Sequence, residues 1–173
     1  MTMHDTKFKR VSWDDVEQAC RVIHEQMLRD GYRPDVLIGL LRGGIVPARI
    51  FSDMFDILID FFALDVKLYD GVNSRRDKPV IRSFFSLDEI QGCKKILVVD
   101  DIWDSGKTMN AVLDMLKGRD VTTATVFWKE GAEKMPDYCH SIAAKDEWIV
   151  FPWDALEFKR ETENQMRGQE GRR

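Results

Sequence analysis

The fourteen residues from Ile96 to Met109, ILVVDDIWDSGKTM, constrain the fold more than any other stretch of this chain. Ile96 to Val99 is an unbroken apolar run, the pattern of a strand buried on both faces, as in a parallel sheet. The run ends in two adjacent carboxylates, Asp100 and Asp101. After Ile102 and Trp103 come Asp104, Ser105, Gly106, Lys107 and Thr108, where a helix is expected to begin. A small-residue loop at a helix start offers backbone amides to an anion such as phosphate. Negative charge beside that cradle makes little sense for phosphate alone. It suits a ligand that carries hydroxyls or a Mg2+ ion next to its phosphate.

The surrounding sequence alternates strand and helix signals. Ser12 to Asp15 matches a capping-box start, and Trp13, Val16, Cys20, Ile23 and Met27 recur at helical spacing before Gly31 and Pro34 stop the helix. Val36 to Leu41 reads as a buried strand, followed by Arg42-Gly43-Gly44 and a helix opened near Pro47. Ile59 to Leu68 predicts a strand, Tyr69 to Pro79 an exposed loop or hairpin tip carrying Arg75, Arg76 and Lys78, and Val80 to Phe85 the returning strand. A helix follows the opening motif and stops at Gly118. Val121 to Trp128 and Trp148 to Phe151 supply two further strands. The expected fold is α/β, a mainly parallel central sheet flanked by helices. One domain is expected over 1–158, and the polar 159–173 is expected to fray or to be disordered.

Composition removes several function classes. In 173 residues, 44% hydrophobic and 32% charged, the chain has the balance of a soluble domain large enough to bury a core. A formal net charge of −4 argues against nonspecific nucleic-acid binding. Cys20, Cys93 and Cys139 are odd in number and widely spaced, fitting neither a disulfide framework nor a zinc site. The opening MTMHDTKFKR has no apolar h-region, and no apolar run approaches the length of a membrane span. A cytoplasmic protein with no membrane partner is expected.

Ligands of open parallel sheets gather where loops leave the carboxyl ends of strands. Two unusual loops fall there: Arg42-Gly43-Gly44, with glycines that expose amides beside a guanidinium, and Asp104 to Thr108. Two anion sites flanking a carboxylate pair suggest a ligand phosphorylated at two ends. Taken singly, Arg-Gly-Gly is also met as an ordinary tight turn, and a double Asp as a solvated capping pair. A nucleotide P-loop needs a glycine five positions before Gly106, where Asp101 stands. A phosphorelay receiver needs its acidic pair on the first strand, whereas a full α/β pattern precedes Asp100.

In combination these residues resemble a known family. ILVVDDIWDSGKTM resembles the phosphoribosyl-pyrophosphate (PRPP) motif of type I phosphoribosyltransferases, and VLIGLLRGGIVPARI their pyrophosphate loop. Phe127-Trp128-Lys129 and the segment DEWIVFPWD from Asp146 to Asp154 resemble the purine end of xanthine-guanine phosphoribosyltransferases. The likeness runs from about Trp13 to Asp154. It departs at the N-terminus, the Arg75-Arg76 tip and the polar tail.

The resemblance implies a lid loop, a small base-binding hood, and transfer of phosphoribose from PRPP to a 6-oxopurine base. Ser105, Gly106, Lys107 and Thr108 would hold the 5′-phosphate. Asp100 and Asp101 would meet the ribose hydroxyls and Mg2+, with Asp101 on the metal side. Arg42 and Gly43 would bind pyrophosphate. Arg75, or its neighbour Arg76, would close over it from the lid. Asp104 would take or relay a proton at the purine N7, and also belongs to the PRPP loop. Lys129 would donate to the 6-oxo group, Trp148 would stack on the base, and the backbone of Trp148 and Ile149 would accept from a 2-amino group. Trp103 and Trp153 are read as packing. A homodimer or homotetramer is implied. Two other readings stand beside this one: a PRPP-sensing regulator without turnover, against which Asp104 and Lys129 count, and a transferase for another base.

Overall fold

Pairing of two neighbouring parallel strands fixes where the two loops meet. The structure, a computed structural model, describes residues 7–55, 60–69, 75–83, 85–93 and 95–170, with backbone alone at 68–69, 75–79 and 165–170. The strands are β1 (Lys7–Arg10), β2 (Val36–Leu41), β3 (Asp60–Tyr69), β4 (Arg75–Ser83), β5 (Lys95–Trp103), β6 (Asp120–Lys129), β7 (Tyr138–Ala143) and β8 (Glu147–Val150). The helices are α1 (Trp13–Arg29), α2 (Ile45–Phe55), α3 (Lys107–Met115) and α4 (Ala155–Glu170). Six strands form the main sheet in the order β4-β3-β2-β5-β6-β7, while β1 and β8 form a separate pair. Only the β3–β4 pair of the main sheet is antiparallel.

The apolar runs of β2 and β5 are buried on both faces, as their composition predicts. Leu37, Leu97 and Val99 face α1 and α2 in one core, with Val16, Ile23, Ala48 and Phe51. Val36, Ile38, Leu40, Ile96 and Val98 face the other way, against Met109, Val112 and Leu116 of α3. Each such aliphatic side chain contributes roughly 1.5–3 kcal/mol by leaving water. The β2–β5 register, Val36↔Ile96 to Gly39↔Val99, then places the turn after β2 beside the acidic end of β5. Chain direction diverges there, because β3 continues outward from β2 and β6 from β5.

The capping box at the start of α1 forms as expected. Asp15 N donates to Ser12 Oγ at 3.1 Å, and Ser12 N donates to Asp15 Oδ2 at 2.9 Å. Trp13, grouped with the core positions by spacing, is instead 56% exposed, with its ring 5.7 Å from Trp153. The loop between β3 and β4 begins and ends later and earlier than its composition suggests. β3 ends at Tyr69 and β4 starts at Arg75; residues 70–74 and the side chains of Arg75 and Arg76, the expected lid arginines, lie outside the described residues.

Three elements have no counterpart in the sequence reading. β1 and β7 were expected as strands nowhere, and the tail expected to fray from 159 is helical to Glu170. α4 is polar on most sides, but Phe158 anchors it: its ring lies 4.9 Å from Phe8, and the Arg10 guanidinium sits 5.4 Å above it. Lys159 and Glu163 pair one turn apart at 3.9 Å. No described helix is long and apolar enough to cross a membrane.

Removing the Ser12 hydroxyl orphans a helix-start amide. Ser12→Ala should therefore lower unfolding free energy by about 1 kcal/mol in urea titrations; an unchanged midpoint would show that the box adds nothing to α1.

Candidate functional site

The carboxyl ends of β2, β5 and β6 and the start of α4 enclose a cavity of about 280 Å³. Arg42, Asp101, Ile102, Asp104, Lys129 and Trp148 line it from the sheet side. Asp154, Glu157, Phe158 and Glu161 line it from the side of α4. A second hollow of about 150 Å³ follows Asp100 and Ser105 to Thr108, and shares Ile102 and Asp104 with the first. Thus Arg42, Asp101, Asp104, Lys129, Trp148 and Ile149 come together in one cavity, with Asp100, Ser105, Gly106, Lys107 and Thr108 next to it.

Gly43 lies behind Asp101 and is needed there for its lack of a side chain. A Cβ there would stand 1.7 Å from Asp101 Oδ2, so the turn after β2 lies flat against the carboxylate. The Leu41–Arg42 peptide bond in that turn is cis. Gly106 caps α3 in the left-handed region at φ 77°, which favours glycine. A Cβ at Gly106 would also meet Trp103 Nε1 at 2.6 Å. Trp103 is thus the platform under the anion loop, and its own indole N–H is buried without a partner.

The two carboxylates at the end of β5 are crowded. Asp100 Oδ1 accepts from Asp101 N at 3.0 Å, and Asp101 Oδ1 from Ile102 N at 2.7 Å. Burial first, and the Asp101 charge second, hold the Asp100 carboxyl well above the usual range. Burial pushes Asp101 up to about 6, opposed by the Ile102 amide and by the indole of Trp153. Trp153, read from sequence as packing, therefore lies beside Asp101, although its N–H closes no well-formed hydrogen bond. Among the described residues no three carboxylate, histidine or cysteine side chains form a metal cage. Two desolvated carboxylates fit a hard cation such as Mg2+ that takes its other oxygens from substrate and water.

Asp104 and Lys129 were given separate tasks by the sequence reading. The structure couples them: Lys129 Nζ stands 3.2 Å from Asp104 Oδ1 and 5.9 Å from the centre of the Trp148 ring. The parallel register Trp103↔Trp128 explains the contact, since the next residue of each strand is then a neighbour. Trp148 is 56% exposed, an aromatic face open to the cavity rather than a core residue. Ile102 of β5 lines the same cavity, and sequence reasoning missed it. Strict alternation assigns it to the face opposite Leu97 and Val99, yet it packs against their core, so no local signal announces it. Asp154 and Glu157 were missed as well: both fall inside the expected domain, but neither carries a motif signal of its own.

The arrangement offers an aromatic slot with one ammonium, a carboxylate pair, and anion cradles on either side. A sequence profile of the phosphoribosyl transferase domain matches residues 12–157. A xanthine-guanine phosphoribosyltransferase of Idiomarina loihiensis is 34% identical over 157 residues, covering 89% of this chain and 91% of that protein. A solved purine phosphoribosyltransferase of Pyrococcus horikoshii superposes with a TM-score of 0.70 at 33% identity, over 84% of this chain and 93% of the other. A solved hypothetical protein of Neisseria gonorrhoeae with bound ppGpp also gives 0.70, at 26% identity, over 94% and 98% of the two chains.

A carboxyl that titrates near 6 when folded, against about 3.9 unfolded, binds its proton more tightly in the native state. Stability from this site is then lost as pH rises through that window. Asp101→Asn, with no charge to bury, should melt at or above the parent temperature near about pH 7.5 and lose its advantage below about pH 5. A variant that melts several degrees lower at neutral pH would contradict the burial argument.

Proposed function

The chain belongs to the phosphoribosyl transferase domain family, and on that premise we propose that it is a purine-salvage phosphoribosyltransferase. It converts PRPP and a 6-oxopurine base (guanine, xanthine or hypoxanthine) to the nucleoside 5′-monophosphate and pyrophosphate. The observation that carries this reading is the single cavity in which Asp101 and Asp104 of the acidic motif meet Lys129 and Trp148.

In the proposed reaction the bond from C1′ to pyrophosphate breaks as positive charge grows on the ribose ring, and a purine ring nitrogen attacks the opposite face. Little covalent work falls to the protein; it aligns the reactants and stabilises separated charge. The amides of Ser105, Gly106, Lys107 and Thr108, at the start of α3, fix the 5′-phosphate. Asp100 and Asp101 orient the ribose hydroxyls. Arg42 and the backbone at Gly43 hold the leaving pyrophosphate, with Arg75 proposed as a lid group. Asp104 takes the proton that the base gives up. Lys129 marks the 6-oxo group, Trp148 and Ile102 sandwich the ring, and the Ile149 backbone faces position 2. Mg2+, when bound with PRPP at Asp101 and Asp100, neutralises the leaving group's charge.

The proposed setting is the cytoplasm, consistent with three free cysteines, and the proposed assembly a homodimer or homotetramer. The ppGpp-bound neighbour favours one addition: a guanosine polyphosphate, with a guanine base and anionic ends, competes for the same cavity.

Turnover with PRPP, Mg2+ and a panel of free bases, followed as pyrophosphate release, tests the reading. Oxopurines should be used and adenine rejected by at least roughly 100-fold, because a 6-amino group is a donor facing the Lys129 ammonium, which has no acceptor to offer it. Lys129→Ala should erode that preference; efficient adenine turnover by the parent protein would sink the oxopurine assignment.

The carboxylate pair is tested separately by calorimetry. With both Asp100 and Asp101 changed to Asn, PRPP affinity in Mg2+ should drop by at least roughly tenfold, the loss of one charge-assisted contact. Equal affinity would remove these residues from the ligand.

A further inference from the structure

Arg42 does not wait for its ligand alone. Its Nη2 donates to Glu157 Oε2 at 2.8 Å, a contact joining the turn after β2 to the first turn of α4. Both residues line the cavity, and Asp154 lies in the same field. Arg42 and Glu157 are 82% and 55% exposed, and a pair that open adds little to the stability of a fold. Its position is what matters, because it occupies the guanidinium that a diphosphate has to use.

We propose that Glu157 is an internal counter-anion for Arg42, displaced when pyrophosphate or PRPP binds, and that this residue sets the affinity of the anion site. The inference rests on the reading of the Arg42 turn as the pyrophosphate site. Glu157 is held in place by its helix rather than by its own ion pair: the adjacent Phe158 packs against Phe8 and under Arg10. The Glu157 backbone is already fixed, so closing the contact orders only the two side chains, which lowers its entropic cost. A carboxylate at a helix start also sits well with the helix dipole. A diphosphate carries several charges against one carboxylate and wins the guanidinium. When pyrophosphate leaves, Glu157 recaptures Arg42, so the departing product is replaced rather than abandoned.

Competition of this strength weakens anion binding by about two- to fivefold, the range of an exposed pair. Magnesium pyrophosphate is titrated calorimetrically into the parent protein, Glu157→Gln and Glu161→Gln, and KM for PRPP and for the base is measured on each. Glu161 lines the same wall, so its variant removes the same charge from that wall. In Glu157→Gln the pyrophosphate Kd and the KM for PRPP should both fall by about two- to fivefold, with the KM for the base unmoved, and Glu161→Gln should shift them less. In an Arg42→Ala background Glu157→Gln should change nothing further. Unchanged or weaker binding in Glu157→Gln would overturn the proposal, the latter by making Glu157 a support for Arg42. Equal tightening in Glu161→Gln would overturn it too, leaving a general field. A folded parent protein that binds no pyrophosphate at all would instead bring down the reading of the turn itself, and this inference with it.

Discussion

Asp101 lies so close to Gly43 that the two turns at the strand ends behave as one surface. Everything else at the site is hung on that contact. The pairing of β2 with β5 sets its height, since each residue of register error would move the turn by a strand step of roughly 3.3 Å and reverse the faces of the side chains. Val36 and Ile96 lock that register from one core, and Leu37 and Leu97 from the other. The hydrophobic layers thus do more than hold the sheet together. They place a guanidinium-bearing turn against a buried carboxylate to within a fraction of an ångström.

The charges of the site compensate one another in the unliganded protein. Arg42 faces Glu157 and Lys129 faces Asp104, each cation turned toward a carboxylate of a different element. Among the described residues no ion pair holds Asp100 or Asp101, and burial drives both toward the protonated form. A ligand rich in phosphate and hydroxyl therefore enters a site with two masked cations and two reluctant anions. Its binding exchanges protein–protein ion pairs for protein–ligand ones and relieves the crowded pair. Such exchange costs less than stripping bare charges of water, which is why a half-open cavity is able to hold so many ionisable groups.

Most of the main sheet and the two turns after β2 and β5 were legible in the sequence because their signals are local. A continuous apolar run, an acidic end and a small-residue helix start need no knowledge of distant partners. β1 was not legible: KFKR is charged and exposed, and it is extended only because the edge of β8 accepts it. β7 hides for a related reason, as its pattern is half-buried and interrupted by His140 and Ser141. The Asp104–Lys129 pair became visible only with the β5–β6 register, which depends on the whole sheet. α4 misled because polar composition was read as lack of structure, when a single phenylalanine against β1 was sufficient to seat it.

The pairing of β1 with β8 joins Lys7 to Glu147 and Phe8 to Trp148, so that almost the entire chain lies between the two partners. Among the strand pairings of the described residues this one spans the longest stretch of sequence, so it carries a large loop-closure cost for only four residues of ladder. Trp148 rides on that ladder. The aromatic wall of the cavity is consequently fastened by β1, a strand that contributes no side chain to that cavity.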